Sequence, residues 1–116
     1  WSDRVGPASW LGVKRLREPG LRFEDLPPID AVLLSHNHYD HLDRATLTAM
    51  KDWKTTFVVP LGVGQHLVYW GIPAARIVEL DWWEGISVGG VEITCTPARH
   101  ASGSPRNCAH SFDAEK

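Results

Sequence analysis

Apolar positions in this chain come as short runs separated by proline and glycine. Residues 29–35 (IDAVLLS) form an apolar run after the pair Pro27-Pro28 and predict a buried strand. Residues 36–41 (HNHYDH) follow as a loop. A helix is expected from about Asp43, because Leu42, Ala45, Ala49, Met50 and Trp53 recur at offsets of 3, 7, 8 and 11, one face at helical spacing. Residues 56–60 (TFVVP) read as a second buried strand, and residues 63–70 as a short helix ended by Gly71 and Pro73. Residues 76–80 (RIVEL) read as a third strand. Segments 86–88 and 91–96 flank Gly89-Gly90, a pair that tolerates the positive φ of a tight hairpin turn. Strands alternating with helices, then a hairpin, define an α/β chain.

The ends differ from this core. Residues 1–28 have no clear period, are punctuated by Gly6-Pro7, Pro19-Gly20 and Pro27-Pro28, and carry Trp1, Trp10, Leu11, Leu16, Leu21 and Phe23. They are expected to form an irregular lead-in, a long loop that packs onto something else and a poor start for an independent domain. Residues 29–100 are the expected core, and residues 101–116 a small, polar, divergent tail.

Composition narrows the function classes. The 116 residues are 43% apolar and 22% charged, with 12 basic against 14 acidic side chains, an ordinary globular profile. A net charge of -2 gives no global reason to bind nucleic acid. Two cysteines, Cys95 and Cys108, are too few for a disulfide framework. No apolar run approaches the roughly 20 residues of a membrane helix. The opening Trp1-Ser2-Asp3-Arg4 carries no signal-peptide pattern and no initiator methionine, so an excerpt or a processed chain is expected.

Chemistry concentrates directly after the first buried strand. His36, His38, Asp40 and His41 fall within six residues. In extended chain, residues i and i+2 point the same way, so His36 and His38 can address one ion. Asp40 and His41 follow one turn later and can face a second. Imidazole with carboxylate suits zinc and also iron, nickel or manganese. The alternative is a polar surface loop with scattered histidines; three of them with an interleaved aspartate after a buried strand favour the metal reading.

His36-x-His38-x-Asp40-His41 resembles the signature of the metallo-β-lactamase fold. Together with Trp1-Ser2-Asp3-Arg4, Ser9-Trp10-Leu11-Gly12, the stretch 33–43 and Thr96-Pro97-Ala98-Arg99-His100, it is similar to the N-acylphosphatidylethanolamine phospholipase D branch over residues 1–103. The resemblance implies a four-layer αββα sandwich. It implies that His36, His38 and His100 hold a first metal and Asp40 and His41 a second, with zinc as the expected ion. Asp40 also takes a catalytic role, orienting the attacking water. The implied reaction is phosphodiester hydrolysis, releasing phosphatidic acid and an N-acylethanolamine from a phospholipid substrate. The sequence does not fix the compartment; a cytoplasmic or peripheral membrane location is expected.

The family site also uses a bridging aspartate in a Gly-Asp-Thr type strand end and a later histidine. Neither motif occurs in this sequence, and Asp113 and His110 sit in no ligand context. A Trp-x-Gly-His type segment that precedes the family's match to Trp1 is absent as well. The chain is therefore expected to be one partial domain, an interior piece of the sandwich. Two further readings compete with the phosphodiesterase: a sugar-phosphate lactonase-like hydrolase of the same fold, and a truncated chain without activity.

Other residues are read as structural. Trp53, Tyr69, Trp70, Trp82 and Trp83 are expected to pack in the core rather than contact lipid. His66, on a face with Val63, Leu67 and Trp70, is expected to be half-buried rather than a ligand. Cys95 reads as a small hydrophobe in a strand. Lys14, Arg15, Arg17 and Arg22 form a basic cluster that suits solvent or phospholipid head groups equally.

Overall fold

The computed structural model describes residues 1–100. The expected tail, with Cys108, His110 and Asp113, lies outside the described residues.

Three parallel strands organise the fold: β3 (Ala31–Leu33), β4 (Thr56–Pro60) and β5 (Ile77–Leu80), side by side in that order. Val32 pairs with Phe57, and Phe57 in turn with Ile77. The apolar run 56–60 becomes the central strand with four of its five residues buried, as a strand covered on both faces requires. Helix α1 (Arg44–Ala49) links β3 to β4, and helix α2 (Gly64–Tyr69) links β4 to β5. The short helical turn Ala74–Arg76 takes up the first residue of the expected third strand.

Alternation along β4 divides the core. Phe57 and Val59 pack with Leu34, Leu42, Leu47, Met50, Val63, Leu67 and Ile72 on the helical side. Val58 points the other way and packs with Leu80 and Cys95. The hairpin β6 (Gly85–Val88) and β7 (Val91–Thr94) lies against that second face through Ile86, Val88 and Ile93. Gly89 and Gly90 turn it with φ of 59° and 80°, the positive values expected of them. The described residues thus form helices, parallel sheet and hairpin in succession, an α/β arrangement.

The buried face of α1 differs from the sequence expectation. Leu47 and Met50 are buried, whereas Ala45 and Ala49 are exposed. Larger side chains remove more apolar surface from water, so the short helix turns Leu47 inward and leaves the alanines out.

The lead-in also departs from an irregular loop. Strands β1 (Arg4–Val5) and β2 (Val13–Lys14) pair antiparallel. A Cβ at Gly6 would lie 2.1 Å from the Leu11 carbonyl oxygen, and one at Gly12 would lie 1.9 Å from that of Val5. Only glycine permits so close a crossing. The lead-in reaches the core through Phe23: its ring stacks on Trp53 at 5.1 Å and meets Trp1 edge-on at 5.7 Å.

The aromatic-rich middle divides. Trp53, Trp70 and Trp82 are half-buried against the two core clusters, but Tyr69 is 84% and Trp83 71% exposed. Core packing therefore fails for these two, which stand at a helix end and in a turn. No helix among the described residues is long and apolar enough to cross a membrane.

Candidate metal centre

The parallel sheet positions the histidine loop. The amide of Leu34 donates to the Val58 carbonyl at 3.1 Å, which carries the pairing of β3 and β4 one residue beyond β3. The chain then leaves the carboxyl edge of the sheet, where open α/β sheets place their sites. His36 is 8% exposed, and its Nε2 lies 3.1 Å from Nδ1 of His38. The expected common direction of residues two apart is realised.

A tight turn brings back the second half of the motif. The His38 carbonyl accepts from the amides of His41 (2.9 Å) and Leu42 (2.7 Å). This folds the His41 ring over that of His36, with centroids 4.2 Å apart. Asp40 Oδ2 and His41 Nε2 are 3.4 Å apart, and both side chains are about half exposed. His36, Asp40 and His41 form one group able to converge on an ion; His36, His38 and His100 form another.

His100 arrives from a segment more than 60 residues further along the chain. Beyond β7, Cys95 is held by its amide to the Glu84 carbonyl (2.9 Å) and by its carbonyl to the Trp83 amide (2.7 Å). The following residues pass the carboxyl ends of β3 and β4 and border an open cavity of about 390 Å³ lined mainly by apolar side chains and by His41. Nε2 of His100 then lies 3.1 Å from both His36 Nε2 and His38 Nδ1.

Three imidazole nitrogens at mutual distances of 3.1 Å suit a cation. A tetrahedral zinc with nitrogens at about 2.0–2.1 Å requires them roughly 3.3 Å apart. The Ser35 hydroxyl lies 2.9 Å from His36 Nδ1. It suits the tautomer with the proton on Nδ1, which turns the Nε2 lone pair toward the cluster. Burial first, then the neighbouring His41, His100 and His38, lower the pKa of His36 below 6.5, against a smaller opposing effect of Asp40. The ring is therefore held neutral, the form that binds metal.

Two residues behind the site have no chemical role in the sequence pattern: Ser35 and Asp43. Asp43 stands at the start of α1 but makes no side-chain cap. Its carboxylate accepts from the Ser2 hydroxyl (2.6 Å), the Ser2 amide (3.1 Å) and the Thr46 hydroxyl. Burial raises its pKa, and these hydrogen bonds outweigh burial, leaving it at about 2. A hydroxyl beside a motif histidine and a carboxylate two residues past the motif were the available signals. His66 lies on α2 against Trp70, 6.1 Å between centroids, outside both groups and half-buried as expected. Cys95 is buried as expected, although β7 ends before it; burial, Asp81 and Glu84 raise its pKa and keep it a thiol.

The family model for the beta-lactamase superfamily domain matches residues 3–114. This chain belongs to the beta-lactamase superfamily. A superfamily relative, an uncharacterized protein of Mycobacterium tuberculosis (strain H37Rv), is 49% identical over 104 residues, covering 89% of this chain and 28% of the relative. The N-acyl-phosphatidylethanolamine-hydrolyzing phospholipase D 1 of Caenorhabditis elegans is 36% identical over 110 residues, covering 87% and 31%. A UPF0173 metal-dependent hydrolase of Anaeromyxobacter sp. (strain K) is 35% identical over 97 residues, covering 81% and 35%. The chain thus spans about a third of these superfamily relatives, or less.

Proposed function

We propose that this protein is a metal-dependent hydrolase that cleaves a phosphodiester, of the N-acylphosphatidylethanolamine phospholipase D type. The convergence of His36, His38 and His100 nitrogens at 3.1 Å carries the reading. In this reading these three hold one ion and Asp40 and His41 a second, with zinc the ion that an imidazole and carboxylate set suits. The activity for which the Caenorhabditis elegans relative is named supports the substrate class, a phospholipid.

A bound divalent ion supplies Lewis acidity, lowering the pKa of water from about 15.7 toward 7 and stabilising charge on phosphoryl oxygens. The chain's own residues do the rest. Asp40, half exposed beside His41, accepts a hydrogen bond from the attacking water and so orients it. Ser35 fixes the tautomer of His36, and burial keeps that ring neutral. The sheet edge holds His36 and His38 in place before any ligand arrives.

Metal analysis of tag-free protein under zinc-replete conditions, with turnover of a chromogenic phosphodiester beside a lactone panel, tests this. Bound metal with phosphodiester turnover is expected. Protein without metal sinks the site; strong lactone turnover alone sinks the substrate class.

A further inference from the structure

We propose, resting on the two-ion reading above, that Asp43 is a positioning residue for Asp40 and His41, acting through its bond to Ser2. The two halves of the histidine motif are supported differently. His36 is buried and follows directly on the pairing of β3 with β4. Residues 39–41 belong to no strand or helix, and the Asp40 and His41 side chains are about half exposed. Their turn is closed on itself by the His38 carbonyl, which accepts from the His41 and Leu42 amides. That fixes the shape of the turn but not its place. Of residues 39–43, Leu42 alone is buried in the core. A single buried side chain is a pivot, about which a tight turn can still tilt.

Asp43 supplies a second fixed point. It stands where a helix-capping aspartate would, yet its side chain caps nothing in α1. The carboxylate is turned to the lead-in instead. Oδ1 accepts from the Ser2 hydroxyl at 2.6 Å and Oδ2 from the Ser2 amide at 3.1 Å. The Trp1 nitrogen, at 3.3 Å, and the Thr46 hydroxyl share Oδ2, so the first turn of α1 is gathered into the same contact.

Ser2 is a firm partner because the β1–β2 hairpin holds it. Its carbonyl accepts from Arg15 Nε at 3.2 Å, and the Arg15 amide donates to the neighbouring Asp3 carbonyl at 2.7 Å. The hairpin itself closes at Gly6 and Gly12, where no side chain fits. The brace thus runs from a paired hairpin to the residue two places beyond His41. Held at Leu42 and Asp43 together, the turn loses its pivot, and Asp40 and His41 keep the direction that a metal ligand needs to within a few tenths of an ångström. Were Asp43 only a staple between the lead-in and α1, losing its bond would lower stability and weaken both ions alike. Losing a brace displaces the second pair of ligands and spares His36, His38 and His100, which other elements hold.

Zinc titration of the intact chain against a chromogenic chelator tests this, with Asp43→Asn, Ser2→Ala and Ser2→Thr beside wild type. Asn keeps the shape of Asp43 but offers one acceptor oxygen. Asp43→Asn is expected to weaken the second zinc about tenfold and to change the first by less than about twofold. Ser2→Ala, which keeps the Ser2 amide, should weaken the second about threefold, and Ser2→Thr, which keeps the hydroxyl, should restore it. Gly64→Ala, at the junction of α2 with β5, controls for stability and should leave the second step unmoved. Equal losses on both steps, an unchanged second step in Asp43→Asn, or Ser2→Thr as weak as Ser2→Ala overturns the brace. Nuclear magnetic resonance of the metal-free chain separates it from the two-ion reading. The His41 ring lies over that of His36, with centroids 4.2 Å apart. Its resonances should shift in Asp43→Asn while those of His100 stay in place. Wild type that takes up a single zinc refutes the two-ion reading, whereas His41 resonances unmoved in Asp43→Asn overturn the brace itself.

Discussion

Nε2 of His36 and Nε2 of His100 lie 3.1 Å apart although 64 residues separate them in the chain. Neither is positioned by the other. His36 is placed by the pairing of β3 with β4, and His100 by the segment that continues from the β6–β7 hairpin. A site assembled from two such supports makes separate demands on each.

His100→Ala removes one corner of the nitrogen triangle and leaves the sheet untouched. Zinc affinity should fall by more than about 100-fold, beyond the 10–100-fold that loss of an outer-shell partner costs. His66→Ala, outside both groups, should leave it unchanged. Competition titration against a chromogenic chelator measures both, and equal losses in the two variants would count against the assignment.

Ser35→Ala deletes the hydroxyl 2.9 Å from His36 Nδ1. The expected loss is about tenfold in zinc affinity, with thermal stability nearly unchanged because Ser35 is exposed. Thr at this position keeps a hydroxyl and should restore most of the affinity. A Ser35→Thr variant as weak as Ser35→Ala would remove the hydrogen bond from the account.

Acid should weaken metal binding before it unfolds the protein. His36 is held below 6.5, so protons displace metal from it only at a pH lower than for an exposed histidine. Zinc affinity should be steady at neutral pH and fall as the solution becomes acidic, with protons taken up on release. Titration calorimetry in two buffers of different ionisation enthalpy reads the proton count.

Asp43 titrates at about 2 in the folded chain against 3.8 as its ordinary value. A depressed carboxyl contributes stability that is complete above the unfolded value and is lost as pH falls through the folded one. With its side chain 25% exposed, that contribution is about 1–2 kcal/mol. Asp43→Asn should be less stable than wild type by this amount at neutral pH, and the gap should close between pH 4 and 2, within the range set by those two values. Urea denaturation at a series of pH values checks the sign.

Gly64→Ala tests the junction of α2 with β5. A Cβ there would lie 2.7 Å from Glu79 Oε1 and 2.9 Å from Ile77 Cγ2. The same Glu79 oxygen accepts from the amides of Gly62 (3.0 Å) and Gly64 (2.8 Å). Overpacking should cost about 1–3 kcal/mol. A melting temperature equal to wild type would show that Glu79 yields without loss.

Local chemistry determined a good deal of this protein before any fold was known. Residues 56–60 are apolar, β-branched or aromatic, with Lys54-Thr55 before them and Leu61-Gly62 after, and they form a strand over those same five residues. His36, His38, Asp40 and His41 lie within one loop, so their proximity follows from chain geometry at separations of one to five residues. The hairpin turn at Gly89-Gly90 is legible for the same reason, since positive φ is a property of single residues.

Tertiary structure decided the rest, wherever the deciding contact lies far along the chain. Leu47 rather than Ala45 faces the core because the sheet offers α1 a surface that rewards the larger side chain. Residues 1–28 have no period because their strands are two residues each and are held by glycine contacts across the hairpin, which leave no repeating signal. Trp83 and Tyr69 stand exposed because the neighbouring Trp82 and Trp70 take the places against the core. His100 meets His36 and His38 because strand pairing and hairpin packing bring together loops 62 and 64 residues apart. Spacing in sequence carries information about neighbours within a few residues; closing a site across that distance is the work of the packed sheet.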